Sequence, residues 1–122
     1  MKQLHELLTY LESIIDIDHY NNAIEHHKKT MRFEENGGLC IKINYPGEEF
    51  KPFPMEEIHQ DMAKMMYNEL IASVSTFEIK DSSLATIRAN YGVGTLPSAF
   101  GAESSIVNGN MPWVKHLSKD EI

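Results

Sequence analysis

Leu4, Leu7, Leu8, Leu11, Ile14 and Ile15 recur at helical spacing and predict an amphipathic helix from Lys2 to about Ile17. Asp16 and Asp18 supply turn chemistry after it, with Asp18 placed to cap a second helix over about Tyr20 to Phe33. That helix is markedly polar, with Ala23, Ile24, Met31 and Phe33 as its apolar anchors, and belongs on an outer surface or against a partner. Asn36-Gly37-Gly38 is expected to end it, because glycine accepts the left-handed cap conformation. From Leu39 to Tyr45 the period changes to two: Leu39, Ile41, Ile43 and Tyr45 lie on one face, with Cys40, Lys42 and Asn44 on the other. This predicts a strand, closed by Pro46-Gly47 and a loop running to Pro54.

The longest predicted helix runs from Met55 to about Phe77, with an apolar stripe of Met55, Ile58, Met62, Met65, Met66, Leu70, Val74 and Phe77. Such a stripe reads first as core packing and second as an adaptable methionine face. Asp81-Ser82-Ser83 turns the chain into a second strand over Leu84 to Tyr91. Ser105 to Val107 reads as a short third strand beside an Asn108-Gly109 turn, and Lys119 to Ile122 as the first turn of another helix. Helix, helix, strand, helix, strand is an α/β order in which the strands are expected to pair in parallel. Two or three such strands cannot cover both faces of a sheet, so the pattern reads as an unfinished fold.

Composition narrows the function classes. The chain has 122 residues, enough for one domain with a core, and its 42% hydrophobic and 24% charged content is that of a globular protein. No apolar run is long enough to span a bilayer, and the charged N-terminus has no signal-peptide core. The lone Cys40 allows no internal disulfide, which makes a cytoplasmic location the default. A net charge of −7 argues against nucleic acid as a partner. Lys28, Lys29 and Arg32 stand among acidic residues and histidines and read as a solvated helix face.

The six histidines form no metal-ligand spacing: His26 and His27 are adjacent, and His59 stands two residues before Asp61. No metal site is expected from these residues alone. Gly92-Val-Gly94 lacks the third glycine of a dinucleotide fingerprint and is followed by Pro97 with no clear helix. Ser98 has no evident base to activate it. The densest chemistry lies in the 88–113 segment, where Arg88, Asn90, Tyr91 and Ser98 stand close to Gly92, Gly94 and Gly101. On a strand, Arg88 and Asn90 would share a face opposite Tyr91, so that Arg88 binds an acidic group and Asn90 orients it. The competing reading pairs Arg88 with an acidic side chain as a structural contact. Trp113, after Pro112, reads as a packing anchor under the loop.

Arg88-Ala-Asn-Tyr-Gly-Val-Gly94, with Pro97-Ser-Ala-Phe-Gly101 and Met111-Pro-Trp113, resembles the early part of the uroporphyrinogen decarboxylase-like proteins. The similarity is greatest to the branch related to cobalamin- and zinc-dependent methyltransferases. The stretches His27 to Phe33 and Asp61 to Leu70 resemble that branch too. The resemblance implies the N-terminal part of a (β/α)8 barrel, with helices over 1–35 and the first barrel strands and helix over 38–122, making one incomplete domain. It implies a parent that binds a small acidic or corrinoid-linked substrate for methyl transfer or decarboxylation. Arg88 and Asn90 would be the polar contacts, and Tyr91, Ser98 and Phe100 the wall. Gly92 and Gly94 would let backbone approach the ligand.

Zinc and a corrinoid belong, on this resemblance, to a complete parent. The His and Cys zinc ligands of the methyltransferase relatives lie on later strands, so this chain alone is expected to be inactive. The region Tyr45 to Phe53 lacks the arginine of the substrate loop in true uroporphyrinogen decarboxylases, which counts against porphyrinogen decarboxylation. The alternative is a complete, small, non-enzymatic α/β protein that self-associates or binds a partner chain through its methionine stripe and open sheet edges.

Overall fold

The computed structural model describes residues 2–43 and 49–115. Among the described residues five helices carry the structure: α1 (Lys2–Ile14), α2 (Ile17–Met31), α3 (Met55–Ile58), α4 (Met62–Ile79) and α5 (Thr95–Ala99). Among these residues the sheet is one antiparallel pair, β1 (Ser104–Ser105) and β2 (Trp113–Val114), with Ser104 opposite Val114 and Ser105 opposite Trp113. This overturns the expected barrel front. The protein is mainly helical, and among the described residues it has neither a strand-helix-strand unit nor a parallel pair.

The heart of the fold is the pairing of α1 with α4. Leu7 and Leu11 from α1 meet Tyr67, Leu70 and Val74 from α4, with Leu4, Leu8, Ile14, Phe50, Phe53 and Phe77 packed around them. The apolar spacing of the first helix is therefore core spacing, as the pattern predicts. The methionine stripe divides: Ile58, Met65, Leu70 and Val74 are buried, whereas Met62 and Met66 are exposed.

Helix boundaries move for reasons visible in the caps. The first helix stops at Ile14 because Asp16, not Asp18, caps α2; its side chain accepts the His19 N–H at 3.0 Å. The second helix ends at Met31, where Arg32 leaves helical geometry and Phe33 turns left-handed at φ 55°, before Asn36-Gly37-Gly38 is reached. The expected long helix from Met55 is two helices. Asp61 has extended backbone and accepts the N–H groups of Ala63 and Lys64 with its carboxylate, which starts α4 afresh. Lys64 pairs back to Glu57 across the break.

The missing strands have a common cause: side chains occupy the backbone groups that a ladder would use. Ser82 Oγ accepts the Ile41 N–H at 2.7 Å, and Asp81 Oδ2 accepts the Ile43 N–H at 2.8 Å. Leu39–Ile43 thus runs against the 81–82 turn without a ladder, and its apolar face of Leu39, Ile41 and Ile43 is exposed. Asn44 and Tyr45, the rest of that predicted strand, lie outside the described residues, as does the predicted helical turn from Lys119 to Ile122. Between Leu84 and Tyr91 the Ala85 carbonyl accepts from Tyr20 Oη at 3.1 Å, and the Asn90 N–H meets Met65 Sδ at 3.3 Å. The third strand survives in shortened form as β1, one residue earlier than predicted, and Asn108 and Gly109 make its turn with positive φ.

The polar second helix is held by hydrogen bonds more than by packing, and Ala23 is its buried residue. His19 Nε2 donates to the Asp81 carbonyl at 3.1 Å, and His27 Nε2 to the Ser82 carbonyl at 2.6 Å. A carbonyl can only accept, so both imidazoles carry a proton on Nε2. Lys80 adds an ion pair to Asp16 at 2.6 Å. Among the described residues, no helix is long and apolar enough to cross a membrane.

Candidate functional site

The segment from Arg88 to Trp113 leaves the core beside α4, turns through α5, and returns as the β1–β2 pair. One-turn α5 follows Gly94, where the sequence predicts no clear helix. Two glycines make this path possible. Gly92 sits at φ +77°, and a Cβ on Gly94 would stand 2.5 Å from Val114 Cγ2. The close approach at Gly94 is thus to β2.

The chain passes between two clefts and divides the predicted site residues among them. Arg88, Asn90 and Gly92 line a cleft of about 370 Å3 with Val93 and Met111. Tyr91, Gly94 and Ser98 line another of about 360 Å3 with His59, Thr95 and Ser104. Ala89, which strand alternation would put on the Tyr91 face, lines the cleft of Arg88 and Asn90, so Tyr91 is separated from them without a strand's alternation. Phe100 lines neither cleft and is 75% exposed, so it is not a wall residue of either. Trp113 is 67% exposed on β2, which corrects its reading as a packing anchor.

In the first cleft the organising group is Glu69, on α4, which sequence reasoning missed. Its Oε1 accepts from Asn90 Nδ2 at 3.1 Å, and its Oε2 lies 3.8 Å from Arg88 Nε. The Glu69 side chain is 18% exposed and that of Arg88 73%, so a half-sunk carboxylate tethers an exposed guanidinium by its inner nitrogen. Both readings of Arg88 meet here. It has its acidic partner, yet the pair is too long for a hydrogen bond and leaves the outer nitrogens for another acceptor. Nothing in the spacing of Glu69 marks it out; it sits on a helix face that only the fold brings under Asn90.

The second cleft holds the other residue that was missed. His59 follows α3 at the break before Asp61, and its ring centroid lies 6.1 Å from that of Tyr91. Its Nε2 is buried and has no hydrogen-bond partner among the described residues. Ser98 Oγ donates to the Thr95 carbonyl at 2.9 Å, which spends its proton and leaves it no role as a nucleophile prepared by a base. A larger cleft of about 810 Å3 opens along α1 beside His5, Glu6, Tyr10 and Lys51, away from the 88–113 segment.

Among the described residues, no group of three or more His, Cys, Asp or Glu side chains is arranged to hold a metal ion. Comparison with protein-family models, with curated proteins and with solved structures finds nothing that matches this chain.

Proposed function

We propose that this chain carries the ligand-contacting segment of a uroporphyrinogen decarboxylase-like protein and binds a small acidic ligand at Arg88. The chemistry of the parent would be decarboxylation or methyl transfer, with this segment holding the acid group. The observation that carries the reading is the Arg88–Asn90–Glu69 arrangement, in which an exposed guanidinium is tethered at Nε beside a cleft of small-molecule size. A carboxylate would take two parallel N–H donors from the outer edge of the guanidinium. Asn90, fixed through Nδ2 by Glu69, orients the Arg88 side of the cleft. Glu69 offsets part of the guanidinium charge, so the site favours a compact acid over a polyanion.

Trp113, the chain's one tryptophan, reports on this segment by its fluorescence. Titration with succinate as a probe acid is expected to give a saturable change that added salt weakens, as screening requires. Arg88→Ala is expected to weaken binding at least tenfold, the scale of a charged hydrogen bond at about 1.5–3 kcal/mol. Equal affinity in the variant would rule Arg88 out as the contact.

A second reading, a module that binds itself or a partner chain, is favoured by one observation. Val93, Leu96, Phe100 and Trp113 are all exposed within the same segment, beside exposed Leu39 and Phe33 elsewhere. Sedimentation across a wide concentration range separates the two. The acid-binding reading expects a monomer at low concentration, whereas a constant dimer mass at every concentration would favour the second.

A further inference from the structure

We propose that the cleft of about 810 Å3 along α1 is a second binding site, separate from Arg88, for a small primary amine with a flat apolar body. Its volume lies within the usual range for a small-molecule site. Tyr67, on α4, is the residue at which the cleft meets the core. It packs with Leu7 and Leu11 of α1 and stands edge-on to Phe53, with ring centroids 5.1 Å apart. Only 4% of Tyr67 is exposed, yet it lines the cleft. Its hydroxyl makes no hydrogen bond among the described residues. Among them His59 Nε2 is the one buried side-chain N or O atom both sealed from solvent and unpaired. The Tyr67 hydroxyl, unpaired but not sealed, therefore keeps an opening. Enclosed polar groups nearly always have a partner in native proteins, and here the cleft is where one can reach it.

Charge and aromatic surface on the walls define that partner. Glu6 and Glu49 bring two carboxylates to the cleft and Lys51 one ammonium, so the balance is negative with histidine counted neutral. Glu6 commits Oε1 only to a loose pair with Lys2 at 3.5 Å, and an ion pair so exposed holds little. The Glu6 charge also reaches Tyr67. Burial, and then that carboxylate, push the phenol pKa above its ordinary value. The hydroxyl thus keeps its proton and offers lone pairs to a donor. An ammonium group gives one N–H to the Tyr67 oxygen and another to a carboxylate, which strengthens both bonds by charge. A carboxylate ligand would instead face Glu6 and Glu49. Phe50 and Tyr10, with ring centroids 5.2 Å apart, form an aromatic wall beside them. Such faces attract a cation and pack against a flat apolar body.

The test follows the Tyr67 and Phe50 ring resonances of the full chain by NMR during titration with phenethylamine. A saturable shift is expected, whereas hydrocinnamate, of similar shape and opposite charge, is expected to leave them in place. Tyr67→Phe keeps the ring and removes the hydroxyl, and Glu6→Gln removes the charge; each is expected to weaken amine binding severalfold. Arg88→Ala is expected to leave it unchanged. No saturable shift with phenethylamine would overturn the proposal and leave water as the partner of the Tyr67 hydroxyl. Hydrocinnamate binding as well as the amine would overturn the cationic class. Free L-phenylalanine binding more tightly than phenethylamine would overturn it too, in favour of a zwitterion held by Lys51. Loss of the amine response in Arg88→Ala would overturn the separation of the two sites. Because titrations of the wild type decide the first three of these outcomes, no variant's folding failure protects the proposal.

Discussion

Leu7→Ala is expected to destabilise the protein by about 2–5 kcal/mol, the range for emptying a buried leucine site. Leu7 is 0% exposed and, among the described residues, is the largest side chain that the fold encloses completely. It stands where α1 meets Leu70 and Val74 of α4, the contact on which the core depends. Domains of this kind hold only about 5–15 kcal/mol in total, so the loss is a large share of it. Thermal melting should drop by about 10 °C or more. Met62→Ala is the matched control: Met62 belongs to the predicted apolar stripe but is exposed, and its truncation is expected to stay within about 0.5 kcal/mol. A Leu7→Ala protein that melts like the wild type would mean that α1 does not pack on α4 as described.

Asp81 is the second point of large leverage. Its carboxylate is buried and accepts the Ile43 N–H at 2.8 Å, the Ser83 N–H at 2.9 Å and the Ser83 hydroxyl at 2.6 Å. Burial pushes its pKa up, but the Ile43 and Ser83 hydrogen bonds outweigh burial and hold it below the ordinary aspartate value. A depressed folded-state pKa means stabilisation that is complete above the unfolded value, about 3.9, and lost as pH falls through the folded value. Asp16, lowered by its hydrogen bond from Lys80, adds to the same acid limb.

Asp81→Asn keeps one acceptor oxygen and turns an N–H2 toward donors, so about 1.5–3 kcal/mol is expected to be lost at pH 7. Denaturant unfolding from pH 7 to pH 2 checks the sign. The gap between wild type and variant should narrow below about pH 4, as the wild-type carboxylate takes up its proton. A constant gap across that range would show that the carboxylate charge plays no part in holding Leu39–Ile43.

Which parts of this structure were legible follows from where the information resides. The α1 face and the buried half of the α4 stripe were legible because helical spacing is a local signal that core packing reads directly. The strands were misread because alternation in Leu39–Tyr45 records only an extended backbone. Whether a partner strand or the Asp81-Ser82 turn satisfies its N–H groups is decided by residues about forty positions away. The break before Asp61 was legible in principle, since an aspartate ahead of an apolar run is a capping signal. The continuous stripe of Met55 and Ile58 outweighed it.

At the candidate site, local alternation misassigns Ala89, which lines one cleft with Arg88 and Asn90 because the segment is not a strand. Glu69 and His59 were missed because each acts across the fold from a position whose neighbours in sequence give no hint of it. Phe100 and Trp113 were misplaced for the converse reason. Their size suggested burial, and nothing local could show that the fold leaves them outside.

The claim that Arg88 is an acid-binding contact is tested most directly on Arg88 itself. The Nε–Hε resonance of its side chain, assigned by its loss in Arg88→Lys, can be followed by 15N NMR as succinate is added. A saturable shift of that resonance together with Asn90 Nδ2, both tied to Glu69, is the predicted result. An Arg88 signal that stays fixed while succinate moves residues elsewhere, or that never moves, would contradict the account and leave Arg88 as a structural partner of Glu69.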